Sequence, residues 1–207
     1  MATHFPLTQI GLPGHRAPGA GFEAPFEMLE ACHERVERML GLIQRLQQHL
    51  QETGCDDSAR QAARDVMRYF DLAAPRHHED EERHVFPPLM AGPNAAVKAL
   101  VLRLIQDHRQ MELAWTDARS VLQTVADHGD APWPGLTVWH QVKLNDFARL
   151  YRQHLDDEEK VVFPVARELL GPGALAAMSE DMMVRRGVLP AQPSDGLLGA
   201  DPGATLV

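Results

Sequence analysis

The chain has 207 residues, 20 Lys and Arg against 29 Asp and Glu, a formal net charge of −9, 44% hydrophobic residues and 11 His. That length suits one domain with appendages and a single core, and the acidic balance offers no basic footprint for phosphates, which argues against a nucleic-acid partner. No window approaches the roughly 18 consecutive apolar residues of a membrane span, and the N-terminus lacks the charged and apolar regions of a signal peptide; no membrane partner is expected, the cytoplasm is the default compartment, and Cys32 and Cys55 form neither a disulfide framework nor a four-thiolate zinc site.

Residues 1–24, rich in Gly and Pro, read as an extended lead-in. From Pro25, residues Phe26, Leu29, His33, Val36, Leu40, Ile43 and Leu50 recur at helical spacing, with a gap at Gln47, and predict a first helix ending near Gly54. Ser58 is the expected cap of a second helix, whose line Ala63, Val66, Phe70, Ala73, His77 should stop at Phe86-Pro87-Pro88; Pro75 should kink or bulge it just before His77. Asn94 opens a third helix, with Val97, Val101, Leu104, His108, Met111, Trp115, Ala118, Leu122 and Val125 in unbroken alternation up to Gly129. A fourth, from about Thr137, carries Leu144, Phe147, Tyr151, His154 and Glu158 and closes at Phe163-Pro164. A short fifth spans Ala174–Arg186, and residues 187–207 have the composition of a disordered tail. No stretch demands a sheet. The expectation is an all-α, up-down-up-down four-helix bundle over residues 25–186, made of two helical hairpins with a short C-terminal helix.

The chain repeats itself. Residues 68–87 align with 145–164 at an offset of 77, matching Phe70, His77, Glu81, Glu82, Val85, Phe86 and Pro87 to Phe147, His154, Glu158, Glu159, Val162, Phe163 and Pro164. The preceding helices repeat at an offset of 75, placing His33 over His108 and Glu37 over Glu112. Each hairpin thus brings one His from its first helix and a His-x-x-x-Glu from its second. Residues four apart share a helix face, so His77 with Glu81, and His154 with Glu158, can present a nitrogen and a carboxylate to one point. Four imidazoles on apolar stripes each need a partner, and two carboxylates among them are costly to bury without a cation.

Imidazole and carboxylate without thiolate suit iron, manganese or zinc. Four His and two Glu exceed one tetrahedral zinc, and the repeat argues for two metals. With Glu81 and Glu158 bridging, each metal takes two nitrogens and two carboxylate oxygens, leaving room for a shared oxo or hydroxo group and a small ligand such as O2, NO or peroxide.

These residues resemble the hemerythrin-like proteins, specifically the bacterial HHE cation-binding domains. The resemblance covers roughly residues 25–186, including the His-x-x-x-Glu-Glu-x-x-x-Phe-Pro endings of helices 2 and 4 and the Met-x-x-Arg-Arg-Gly close at Met182 to Gly187. It implies a four-helix bundle around a non-heme di-iron centre, with His33, His77, Glu81, His108, His154 and Glu158 at the ligand positions. Oxygen-carrying hemerythrins use five His, one Glu and one Asp; here Glu112 stands at the fifth His position and Glu159 at the Asp spacing, which weighs against reversible O2 carriage.

Around that set, Glu37 and Glu112 are candidates for further ligation or for holding an imidazole from behind. The acidic runs Glu79–Glu82 and Asp156–Glu159 read as exposed helix face with one inward member each, and His78 and His84 read as surface residues. Tyr151, one turn before His154, reads first as core filler and second as a donor into the site. Two function classes follow: redox handling of peroxide, O2 or NO, with peroxide consumption favoured, and a non-catalytic sensor of O2, NO or iron. No protein redox partner can be named from sequence.

Overall fold

The computed structural model describes residues 21–188, and all the regular structure among them is helical. Almost all of the expected lead-in and tail lie outside the described residues. Helix α1, Pro25–Glu52, starts with Pro at its first turn, where a missing N–H costs nothing, and buries Phe26, Leu29, His33, Val36, Leu40, Ile43, Leu46 and Leu50. Gly54, at φ 96°, makes the left-handed turn into α2, Asp57–Asp80. The cap is Asp56 rather than Ser58: its carboxylate accepts from the Ala59 amide at 2.8 Å.

Neither Phe-Pro pair ends its helix. After α2 the chain makes a π-helical turn over Glu81–Val85 and continues as α3, Phe86–Ala91. In the second hairpin α5, Val138–Asp157, passes through a π turn at Glu158–Val162 into α6, Phe163–Leu169. Phe86 and Phe163 donate their amides to the carbonyls of Glu81 and Glu158, five residues back. The ladder has therefore already slipped where the prolines arrive, and Pro87 and Pro164 take first-turn positions of new helices, which tolerate a missing donor. Pro75, by contrast, leaves α2 α-helical, and no bulge precedes His77. Pro75 and Asp71, whose carbonyl loses a donor, are both exposed, so water can satisfy what the proline frees.

Helix α4, Ala95–Ala126, is capped by the Asn94 side chain on the amides of Ala96 and Val97. Thr137 and His140 form a capping box at the start of α5. The last helix, α7, is Pro172–Arg185. Around the bundle α1 packs on α2, α2 on α4, α4 on α5 and α5 back on α1, while α7 lies against α1. No single described helix is long and apolar enough to cross a membrane; the one bent pair that passes on composition, Val138–Leu169 with Pro172–Arg185, contributes His154 and Glu158 to the bundle interior.

Two apolar cores result. One, from α1, α2, α4 and α5, includes Leu40, Val66, Phe70, Leu122 and Phe147. The other, closed by α3, α6 and α7, includes Leu29, Phe86, Leu104, Phe163, Met178 and Met182. Buried polar residues, His33, His77, Glu81, His108, His154 and Glu158 among them, belong to neither cluster.

Candidate metal centre

Each hairpin delivers its residues from matching places: His33 and His108 from mid-helix in α1 and α4, His77 and His154 from the last turn of α2 and α5, Glu81 and Glu158 from the first residue of each π turn. All six are buried, with both carboxylates fully inaccessible. They form two groups of four potential donor atoms: His33, His77, Glu81 and Glu158 in one, Glu81, His108, His154 and Glu158 in the other. Within each group the donor atoms lie within 4.8 Å of one another.

The two carboxylates belong to both groups. Glu81 turns Oε1 to His77 at 3.1 Å and Oε2 to His108 at 3.5 Å; Glu158 turns Oε2 to His33 at 3.3 Å and Oε1 to His154 at 3.0 Å. Despite these distances, none of the four oxygens has an aligned hydrogen-bond partner among the described residues. The rings meet in pairs: His33 Nε2 and His77 Nε2 are 3.0 Å apart in hydrogen-bond geometry, and so are His108 Nε2 and His154 Nε2. Two protons cannot share either gap, whereas a cation can accept both lone pairs. A separation of 3.0 Å also equals the edge of an octahedron whose bonds are roughly 2.1 Å, ordinary for nitrogen on such a metal. The residues present fit a pair of metal ions.

Without metal, protons stand in for that positive charge. Burial opposes protonation of His33, but the close carboxylates of Glu158 and Glu81 outweigh it and push the ring up to about 9. His154 is likewise raised to about 10, burial being overcome by the charge of Glu158 and by Asp107. Burial would raise the carboxyl of Glu81, yet the His77 charge and the facing imidazoles hold it well below the carboxylate range. Glu158 is lowered too, against burial and the charge of Glu81, by His154 and His33.

Behind the rings stands a layer the sequence reading missed. Glu159 accepts from His33 Nδ1 at 3.0 Å and Glu82 from His108 Nδ1 at 2.8 Å, so each is supplied by the opposite hairpin. Phe163 stacks on His33 and Phe86 on His108, also across hairpins. The repeat already paired Glu82 with Glu159 and Phe86 with Phe163, which is the signal that could have found them. Glu37 and Glu112 do not reach the site. Both are exposed, Glu37 near Arg152 at 3.9 Å and Glu112 on Arg109 at 3.0 Å.

The reading of the first acidic run also needs correction. Asp80 is as buried as Glu81 and is clasped by Arg185 and Arg186 of the C-terminal helix region. His78 is not a surface residue: it is 6% exposed, stacks on His108 with ring centroids 3.9 Å apart, and its Nε2 has no partner among the described residues. His84 is half-buried on Asp181 at 2.7 Å. Tyr151 is buried against Phe70 and Phe147, and burial together with nearby acidic charges keeps its phenol protonated. A cavity of about 40 Å³ runs between Tyr151, His78, Met111, Phe70 and Trp115, with Pro75 and Glu112 at its exposed edge.

The family model of the hemerythrin HHE cation binding domain matches residues 24–166. A relative from Haemophilus influenzae, described only as an uncharacterized protein, is 27% identical over 170 residues, which is 82% of this chain and 94% of the relative.

Proposed function

The chain belongs to the hemerythrin HHE cation-binding family, and on that premise we propose that it holds two iron ions and uses them on peroxide, O2 or NO in the cytoplasm, with peroxide consumption as its reaction. His33 and His77 would hold one ion, His108 and His154 the other, and Glu81 and Glu158 would bridge them. The observation that carries this reading is the split of both carboxylates, one oxygen to each His pair. When bound, the iron pair supplies two-electron redox chemistry. Manganese or zinc suits the same donors, zinc without the redox chemistry.

The protein's own part is positioning and exclusion. Glu82 and Glu159 fix which nitrogen of His108 and His33 faces inward. Phe70, Phe147, Phe86 and Phe163 keep water from the carboxylates. The cavity beside Tyr151 leaves space for a small ligand, and burial keeps the Tyr151 phenol protonated. Disproportionation turns two peroxides into two waters and one O2, so no external reductant is needed.

The test is metal analysis, an optical spectrum and a peroxide assay on protein from iron-supplied cells. About two irons per chain, near-ultraviolet charge-transfer absorption, and peroxide loss that vanishes in His33→Ala, His108→Ala and zinc-loaded protein would support the reading. One zinc per chain with a featureless spectrum would overturn it. A sensor is the second reading, favoured by one contact: Asp80, next to Glu81, is tied to Arg185 and Arg186, so a shift at the bridge has a route to α7. It predicts gas binding without turnover and altered protease sensitivity at α7.

A further inference from the structure

We infer that the two metal positions are unequal, and that Asp107 makes the one formed by His108 and His154 fill first. The inference rests on the six-ligand reading and asks what stands behind each ring. An imidazole that gives its inner nitrogen to a cation carries a proton on its outer one, and a carboxylate there orients the ring and makes it a better donor.

At His33 and His108 the hairpins agree, with Glu159 and Glu82 at 3.0 and 2.8 Å. At the other two rings they part. The repeat that lays His33 over His108 also lays Cys32 over Asp107. The Asp107 carboxylate lies 3.8 Å from His154 Nδ1. That is too long for a direct hydrogen bond, and the nitrogen has no other partner among the described residues. Asp107 also has no other ion pair among them, so a side-chain rotation can close the gap. Behind His77 the corresponding group is the thiol of Cys32, and His77 Nδ1, equally buried, has no bond of normal geometry. A thiol sulfur is a weaker acceptor than a carboxylate.

The wider charge distribution points the same way on one side and against it on the other. Arg35 and Arg186 place positive charge near Cys32, on the side of His33 and His77. Arg109 draws on Glu82 at 2.9 Å, but its guanidinium is more than half exposed and screened by water. Carboxylate backing of a ligand His typically changes metal affinity about 10- to 100-fold. The expected preference is therefore about tenfold or more.

Cobalt(II), one equivalent added to the metal-free full chain, tests this with the imidazole resonances of 15N-labelled protein as the readout. Two like cations repel, so stepwise binding alone proves nothing; the identity of the first position does. The His108 and His154 rings should shift first, by about ten to one over His33 and His77. Asp107→Asn should bring the ratio close to even, and Cys32→Asp, which gives His77 the missing carboxylate, should even it from the opposite side. Equal filling of both positions in the native chain, or a preference unmoved by both substitutions, overturns the inference and leaves the metal pair standing. Cobalt that shifts none of the four rings overturns both.

Discussion

Aligned by the repeat, the two hairpins place Phe70 with Phe147, His77 with His154 and Glu81 with Glu158, but Ala74 falls where Tyr151 stands, His78 where Leu155 stands, and Asp80 where Asp157 stands in a different setting. Asp80 is fully buried under two arginines, whereas Asp157 meets Arg103, itself 52% exposed, near the surface. The residues that converge on the centre, and the Glu and Phe behind His33 and His108, are therefore duplicated, whereas Tyr151 and His78 have no like residue in the other hairpin and Asp80 and Asp157 sit in different settings. The bridging geometry constrains both halves alike. The cavity beside Tyr151 and the contact of Asp80 with Arg185 and Arg186 each belong to one side.

The largest effect should come from breaking the shared part. Glu81→Ala or Glu158→Ala should each abolish binding of the metal pair, while Glu79→Ala and Asp156→Ala should leave full metal content; equal losses from all four would refute the symmetric bridge. Next comes the asymmetric aspartate pair. Asp80→Ala removes a carboxylate shared by two partly buried guanidinium groups, of which Arg185 keeps Asp181, and should cost about 1–3 kcal/mol of folding stability by urea titration. Asp157→Ala, at the matching position, should cost about 0–1 kcal/mol.

The pH response should distinguish the metal-free from the loaded protein. Raised rings stabilise the fold fully below their ordinary value of 6.5 and lose that contribution as pH climbs through about 9 for His33 and about 10 for His154. The depressed carboxyls of Glu81 and Glu158 act the other way, stabilising above 4.5 and failing as pH falls. Metal-free protein should therefore weaken as pH climbs above about 6.5, while His78, held well below its ordinary value by burial and the neighbouring imidazoles, opposes stability as pH falls below that value. Metal affinity, which requires those protons to leave, should rise with pH up to about 10. A metal-free melting temperature that climbs from pH 7 to pH 9 would contradict this. The smallest effects belong to the cavity side. Tyr151→Phe should slow peroxide loss while sparing the metal. His78→Leu, which copies Leu155 and removes an unpartnered nitrogen, should change stability by no more than about 1 kcal/mol in either direction.

The meeting of the six central side chains was readable because two simple signals coincide: a spacing of four on a helix and a 77-residue repeat. What escaped had two physical sources. Helix-wheel reasoning assumes 3.6 residues per turn throughout, and both acidic runs lead directly into π turns, so Glu82 and Glu159 fall outside its geometry. Burial by a remote element is invisible to local periodicity: Asp80 is inside because Arg185 and Arg186 cover it, and His78 because the ring of His108 does. The caps show the same limit on a smaller scale, since Ser58 and Asp56 both have the chemistry and only the turn at Gly54 decides between them.

Each π turn amounts to one extra residue that a helix has absorbed without breaking. Deleting Arg83 would allow a regular ladder to run from α2 towards α3, and would turn everything beyond it by about 100° about the axis. Phe86 would leave the ring of His108, and the second core would lose a side chain that is only 2% exposed. A shorter, more regular helix would thus hold a worse centre. The same deletion at Lys160 would swing Phe163 away from His33. A length change of one residue, harmless in a surface loop, is forbidden at these two places in the bundle, and it would propagate to the opposite hairpin because each Phe serves its neighbour's histidine.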